Sequence, residues 1–147
     1  MAQTAQETRL NQTIKLRDGR TLGYAEYGDR NGVPVVFFHG TPGSRLMAVP
    51  AWNDTSLGIR LIAPDRPGLG LSTYLPHRTL LNWPGDVAEL ADALKLEKFI
   101  VAGVSGGGPH SLACAYALPD RVSLRPVLLR AYRVCRPGPP DPALADA

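Results

Sequence analysis

The pentapeptide Gly103-Val104-Ser105-Gly106-Gly107 fits the pattern G-x-S-x-G, in which a serine hydroxyl is presented at a sharp strand-to-helix turn as a nucleophile. A serine held there takes a strained backbone, so the residues two before and two after it must lack side chains. Gly103 and Gly107 meet that requirement. A helix starting near Gly106 would leave that residue's N–H free and favour negative charge at the serine oxygen. The same residues also read as a plain glycine-rich turn. A phosphate loop is excluded because no Gly-Lys-Ser/Thr follows, and the dinucleotide fingerprint fails because Ser105 stands where its second glycine belongs. No cofactor is expected.

A second chemically suggestive stretch is Phe38-His39-Gly40-Thr41-Pro42-Gly43, directly after an apolar run. A loop here would set the Thr41 backbone N–H opposite that of Gly106. Two such donors, each about 3 Å from a developing alkoxide, form an oxyanion hole supplying about 3 to 4 kcal/mol per donor. His39 reads as a packed histidine bonding to nearby backbone rather than as a catalytic base. A third stretch, Asp65-Arg66-Pro67-Gly68-Leu69-Gly70-Leu71-Ser72, is a glycine-rich loop after another apolar run.

These loops need elements to hold them. Residues 13–27 alternate apolar and polar around Asp18-Gly19, a hairpin signal. Val33-Pro34-Val35-Val36-Phe37-Phe38, Arg60-Leu61-Ile62-Ala63-Pro64 and Lys98-Phe99-Ile100-Val101-Ala102-Gly103 read as buried strands of a parallel sheet. Helices are expected over 44–56, over 79–96 with Val87, Leu90, Ala91 and Leu94 on one face, and over 106–118, stopped by Pro119. Asp86 and Glu89 suit the early turns of the second helix. Strands alternating with helices predict an α/β fold: an N-terminal hairpin leading into a mostly parallel sheet with flanking helices.

Three motifs in this order, on these elements, resemble the alpha/beta-hydrolase family in its serine-nucleophile branch: His39-Gly40-Thr41-Pro42-Gly43, then Asp65-x-x-Gly68-x-Gly70-x-Ser72, then the nucleophile elbow. The resemblance covers residues 13 to about 122. It implies that Ser105 is the nucleophile, that the Thr41 and Gly106 amides form the oxyanion hole, and that His39, Gly40, Gly103 and Gly107 support the motifs. It also implies hydrolysis of an ester, amide or similar acyl bond of a small-molecule substrate through an acyl-enzyme. Proline-type aminopeptidases, cofactor-free peroxidases and decarbonylating relatives within the family are not separated by these motifs.

The family's acid and histidine follow the serine in sequence. After Ser105 this chain has one histidine, His110, whose backbone lies roughly 7.5 Å further along the helix at about 1.5 Å per residue. His77 precedes the serine, and Asp120, Asp141 and Asp146 are the acids that follow it. The expectation is therefore an incomplete alpha/beta-hydrolase fold, truncated before the triad acid and histidine and inactive or very weak alone. The alternative is a non-catalytic remnant or a module binding a small molecule or partner.

Residues 1–11 are polar and read as a flexible N-terminus, 12–122 as the N-terminal part of the hydrolase domain, and 123–147 as an atypical Arg/Pro-rich tail. The character change after Asp120 has the composition of a shifted reading frame. The missing strands would leave a sheet edge open to a complementing chain or to self-association, with marginal stability.

Composition narrows the class further. The chain has 147 residues, 44% hydrophobic and 20% charged. No apolar run approaches the roughly 18 to 20 residues of a membrane span, and no basic-then-apolar leader is present at the N-terminus, so a cytoplasmic protein with no membrane association is expected. Two cysteines, Cys114 and Cys135, without metal-ligand spacing, give no metal site. The net charge of +3 comes from residues 121–147, where five arginines face two aspartates. No basic face with interleaved aromatics accompanies it, so nucleic acid is not an expected partner.

Overall fold

A turn at Asp18-Gly19, with Gly19 at φ +86°, reverses the chain between β1 (Gln12–Lys15) and β2 (Thr21–Gly28), which pair antiparallel from Gln12 opposite Tyr24 to Lys15 opposite Thr21. The computed structural model describes residues 9–47 and 54–123. The next strands are β3 (Val33–Phe38), β4 (Ile59–Pro64) and β5 (Ile100–Gly103). They assemble in the order β1-β2-β4-β3-β5. The hairpin makes the antiparallel half of this mixed sheet, because β2 also runs antiparallel to β4. The later strands make the parallel half, with β3 between β4 and β5.

Strand side chains alternate between faces, and both faces are apolar. On one face Leu22, Tyr24, Val36, Phe38 and Ile62 pack with Trp83, Val87, Leu90, Ala91, Phe99 and Cys114. On the other Ala25, Tyr27, Val35, Phe37, Leu61, Ala63 and Ala102 cluster. The continuous apolar runs of β3 and β4 follow from this double burial. Cys114 is fully buried, and burial pushes its thiol up to about 12, so it packs as a small apolar side chain.

The first face is covered by α1 (Trp83–Ala93) and α2 (Gly108–Ala117). Each is shorter than its expected span. A 3-10 turn at Leu80–Asn82 precedes α1, with Pro84 in its first positions, and Lys95 at φ +57° ends it. Another 3-10 turn, Ser105–Gly107, precedes α2. The helix expected over 44–56 has only short 3-10 turns at Arg45–Met47 and Thr55–Leu57 at its two ends. Its middle, residues 48–53, lies outside the described residues.

Residues 9–11, expected as part of a flexible terminus, are tied to the fold. Arg9 donates to the Gly28 carbonyl at 3.0 Å, and the Leu10 carbonyl accepts from Arg45 Nε at 2.7 Å. The carboxyl end of the described chain returns to the sheet, where Val122 bridges Phe99 in parallel sense. The remainder of the Arg/Pro-rich tail, from residue 124, lies outside the described residues. Among the described residues no helix is long and apolar enough to cross a membrane.

Candidate active site

β5 ends in a turn that holds Ser105 at φ +50°. A non-glycine residue there costs about 1 to 3 kcal/mol and persists only when its surroundings impose it. The imposition is visible on both sides. A β carbon on Gly107 would lie 2.8 Å from the Phe38 carbonyl carbon, and one on Gly103 would lie 2.6 Å from Ser111 Oγ. Val104 N–H donates to the Phe38 carbonyl at 3.2 Å, and Gly107 N–H to the Val104 carbonyl at 2.8 Å. The turn is thus clamped onto the end of β3, and Ser105 stands exposed above it.

The loop leaving β3 passes directly over this turn. A β carbon on Gly106 would lie 2.5 Å from Thr41 Oγ1 and 3.3 Å from Thr41 N, so a larger residue at this position would displace the Thr41 side chain, whereas at the two outer glycines it would meet backbone. One on Gly40 would be 3.5 Å from Ser105 Cβ. The sequence pattern leaves that middle position open, and the close approach of Thr41 explains its occupant. Neither Thr41 N–H nor Gly106 N–H donates to another described residue. Two free amides therefore flank the serine at the amino end of α2, whose dipole adds partial positive charge.

Asp65, fully buried, shapes the second loop. Its carboxylate accepts from Arg45 N–H at 2.6 Å, Arg45 Nη1 at 3.0 Å and Leu71 N–H at 2.9 Å. A β carbon on Gly70 would lie 2.6 Å from Asp65 Oδ1, and Gly70 at φ +51° also needs the freedom of glycine. Ser72 Oγ donates to the Asp65 carbonyl at 2.7 Å and accepts from Gly23 N–H at 2.9 Å. The Asp-x-x-Gly-x-Gly-x-Ser motif is thus a self-bonded knot that binds β2, β4 and the loop after β3 together.

The three histidines sit apart from the serine hydroxyl. His39 is 1% exposed, with Nδ1 2.8 Å from its neighbour's carbonyl at Gly40 and Nε2 3.4 Å from Arg66 N–H. These partners fit a neutral ring protonated on Nδ1, and burial holds its pKa below the ordinary value. His110 bonds through Nδ1 to the Gly106 carbonyl at 2.9 Å and meets the Trp83 ring edge-on at 6.0 Å; burial lowers its pKa too. His77 is exposed, at φ +53°. Asp120 is exposed just past α2. Among the described residues none of these groups bonds Ser105.

Two residues that motif reading passes over are central to this geometry. Arg45 and Arg66 are 7% and 2% exposed, and each ties the loop after β3 to the loop after β4. For Arg66 the signal was a charged residue just past a buried strand, where solvent is excluded and a long polar side chain needs internal partners; Arg45, well beyond the end of β3, carried no such signal.

The family model for the alpha/beta hydrolase fold matches residues 33–124, and the chain belongs to that family. It is 36% identical over 118 residues to the non-heme chloroperoxidase of Streptomyces lividans, covering 76% of this chain and 41% of that protein. It is 32% identical over 128 residues to the proline iminopeptidase of Neisseria gonorrhoeae, covering 85% and 41%. Among solved structures, a thermophilic esterase from Thermogutta terrifontis superposes with a TM-score of 0.66 at 30% identity, covering 76% of this chain and 42% of that one. The chain thus spans about two fifths of the length of these proteins.

Proposed function

We propose that this chain carries the nucleophile and oxyanion-binding part of a serine hydrolase acting on a small acyl substrate. The observation that carries the reading is Ser105, held at φ +50° between close-packed glycines and beside two amides that donate to no other described residue. In the step this arrangement supports, Ser105 Oγ bonds to the acyl carbon. The carbonyl π pair moves onto oxygen, which the Thr41 and Gly106 N–H groups receive. Collapse of that intermediate expels the leaving group and leaves an acyl-serine, which water hydrolyses.

The serine proton has no histidine to receive it among the described residues, so it passes to solvent and turnover by this chain alone is slow. An oxyanion hole without a complete triad still retains about 10³ to 10⁴ over water in enzymes of this chemistry. The relatives span a peptidase, an esterase and a peroxidase, and the acyl group and its leaving group belong to the part of the fold that builds the substrate pocket.

The Ser105 hydroxyl, which has no partner among the described residues, also supports a second reading, a non-catalytic module that uses the elbow to bind a small molecule or partner. Covalent labelling of the full chain with a fluorophosphonate, together with turnover of a p-nitrophenyl ester, separates the two. Labelling and slow turnover that both vanish in Ser105→Ala support the nucleophile. Absence of both in the folded wild type supports the binding module.

A further inference from the structure

Arg66 is 2% exposed and has no carboxylate partner among the described residues, since the adjacent Asp65 carboxylate is engaged by Arg45 and Leu71. Burying a guanidinium without a counter-charge is costly unless its N–H groups are used well. Here they converge on one short stretch: Nη1 donates to the His39 carbonyl at 2.5 Å, and Nη2 to the Gly40 carbonyl at 2.9 Å and to Thr41 Oγ1 at 3.0 Å. His39 Nδ1 approaches the same Gly40 carbonyl at 2.8 Å.

The Gly40 carbonyl and the Thr41 N–H belong to one peptide plane. In a trans peptide the two point in opposite directions. Two donors that fix the carbonyl therefore also fix the amide, and they aim it away from Arg66, on the side where Gly106 packs against Thr41. A charge-assisted bond to the carbonyl also polarises the N–H at the other end of the plane. We infer that Arg66, with His39 as second anchor, is a positioning residue for the oxyanion hole: it locks and polarises the Gly40–Thr41 peptide so that the Thr41 N–H receives the oxyanion formed at Ser105. This rests on the serine-hydrolase reading above and extends it to a residue outside the three motif roles.

The test is an NMR titration of the 15N-labelled full chain with an arylboronic acid. The acid adds to Ser105: the Oγ–B bond forms, boron becomes tetrahedral and anionic, and the hydroxyl proton leaves to buffer. In the wild type the boron signal becomes tetrahedral and the amides of Gly106 and Thr41 both shift. In Arg66→Met the Gly106 shift persists, the Thr41 shift is lost, and affinity falls on the order of a hundredfold, the scale of one oxyanion donor. Arg66→Lys keeps the charge but cannot span three acceptors, so its Thr41 response is reduced.

A wild-type Thr41 response in either folded variant overturns the proposal while leaving the nucleophile in place. If the substitutions unfold the chain, the wild type decides, because the Arg66 guanidinium resonances must move together with the Thr41 amide. Unmoved Arg66 resonances overturn the inference. Boron that stays trigonal in the wild type overturns the serine-hydrolase reading, and the positioning role falls with it.

Discussion

Arg20 lays its guanidinium along the carboxylate of Asp86, with Nη1 to Oδ2 at 2.9 Å and Nη2 to Oδ1 at 2.6 Å, so the hairpin turn is bolted to the first turn of α1. The Arg20 and Asp86 side chains are 14% and 6% exposed, and Asp86 bonding holds the Arg20 pKa above its ordinary value. Removing one partner leaves the other charge largely buried. Asp86→Asn is expected to lower unfolding free energy by about 3 kcal/mol, the low end for such pairs because Arg20 keeps Asp18. A urea titration checks it, and a loss below about 1 kcal/mol, the scale of an exposed pair, would contradict the coupling.

Neighbouring glycines at the elbow should respond oppositely to one added methyl. A β carbon at Gly107 would run into the Phe38 carbonyl, whereas one at Gly108 meets nothing within 4 Å. Gly107→Ala is expected to destabilise by more than about 3 kcal/mol and to abolish fluorophosphonate labelling, as overpacking against rigid backbone does. Gly108→Ala should be stabilising by about 0.5 to 1 kcal/mol, because it removes unfolded-state freedom at the start of α2. Thermal unfolding of the pair, followed by circular dichroism, decides.

The strain at Ser105 should be measurable as a difference between two inactive variants. Ser105→Ala keeps a side chain at φ +50°, whereas Ser105→Gly releases it. Glycine's extra unfolded-state entropy offsets part of the gain, so Ser105→Gly should exceed Ser105→Ala in stability by about 1 kcal/mol. Equal midpoints in denaturant would mean that the turn stores no strain.

Mild acid should weaken the fold through two buried histidines. Burial lowers the folded-state pKa of both His39 and His110 below the ordinary histidine value of about 6.5. The unfolded chain therefore binds protons more readily, so the stability these rings contribute is full above pH 6.5 and is lost as pH falls towards their folded values. The slope is at most about 1.4 kcal/mol per pH unit for each histidine. Denaturant midpoints between pH 7.5 and 5.5 should fall in the wild type and flatten in the double variant His39→Gln/His110→Gln. A flat wild-type profile would show that neither ring is held neutral.

The elbow was legible in the sequence because its requirements are steric and local: Gly103, Gly107 and a serine between strand and helix can be recognised without knowing what they touch. The Asp65 stretch was legible only as a glycine-rich loop and a family motif; that Gly70 and Ser72 serve the Asp65 carboxylate and carbonyl is seen in the fold. The apolar runs of β3 and β4 indicated burial on both faces, and Val87, Leu90 and Ala91 marked the inward face of α1. What stayed hidden depends on residues far apart in the chain. Arg45 reaches Leu10, Asn11 and Asp65, and Arg66 reaches back to His39, Gly40 and Thr41. No periodicity encodes such pairings. The same holds for the β2–β4 pairing, which turns a hairpin into half of a mixed sheet, and for Arg9 through Asn11, whose anchoring depends on Gly28 and Arg45 far along the chain.

The placement of β3 bears on how the molecule assembles. Its carbonyl at Phe38 holds the serine turn, yet its pairing with β5 joins Val35 to Ile100, whereas the β1–β2 hairpin closes over a few residues. Contacts between distant segments form late, because loop closure must be met before they stabilise anything. The hairpin is thus available as an early, local nucleus, while the nucleophile turn takes shape only when β5 docks beside β3. A chain emerging during synthesis would acquire its reactive geometry only once β5 had docked beside β3, well after the hairpin could form.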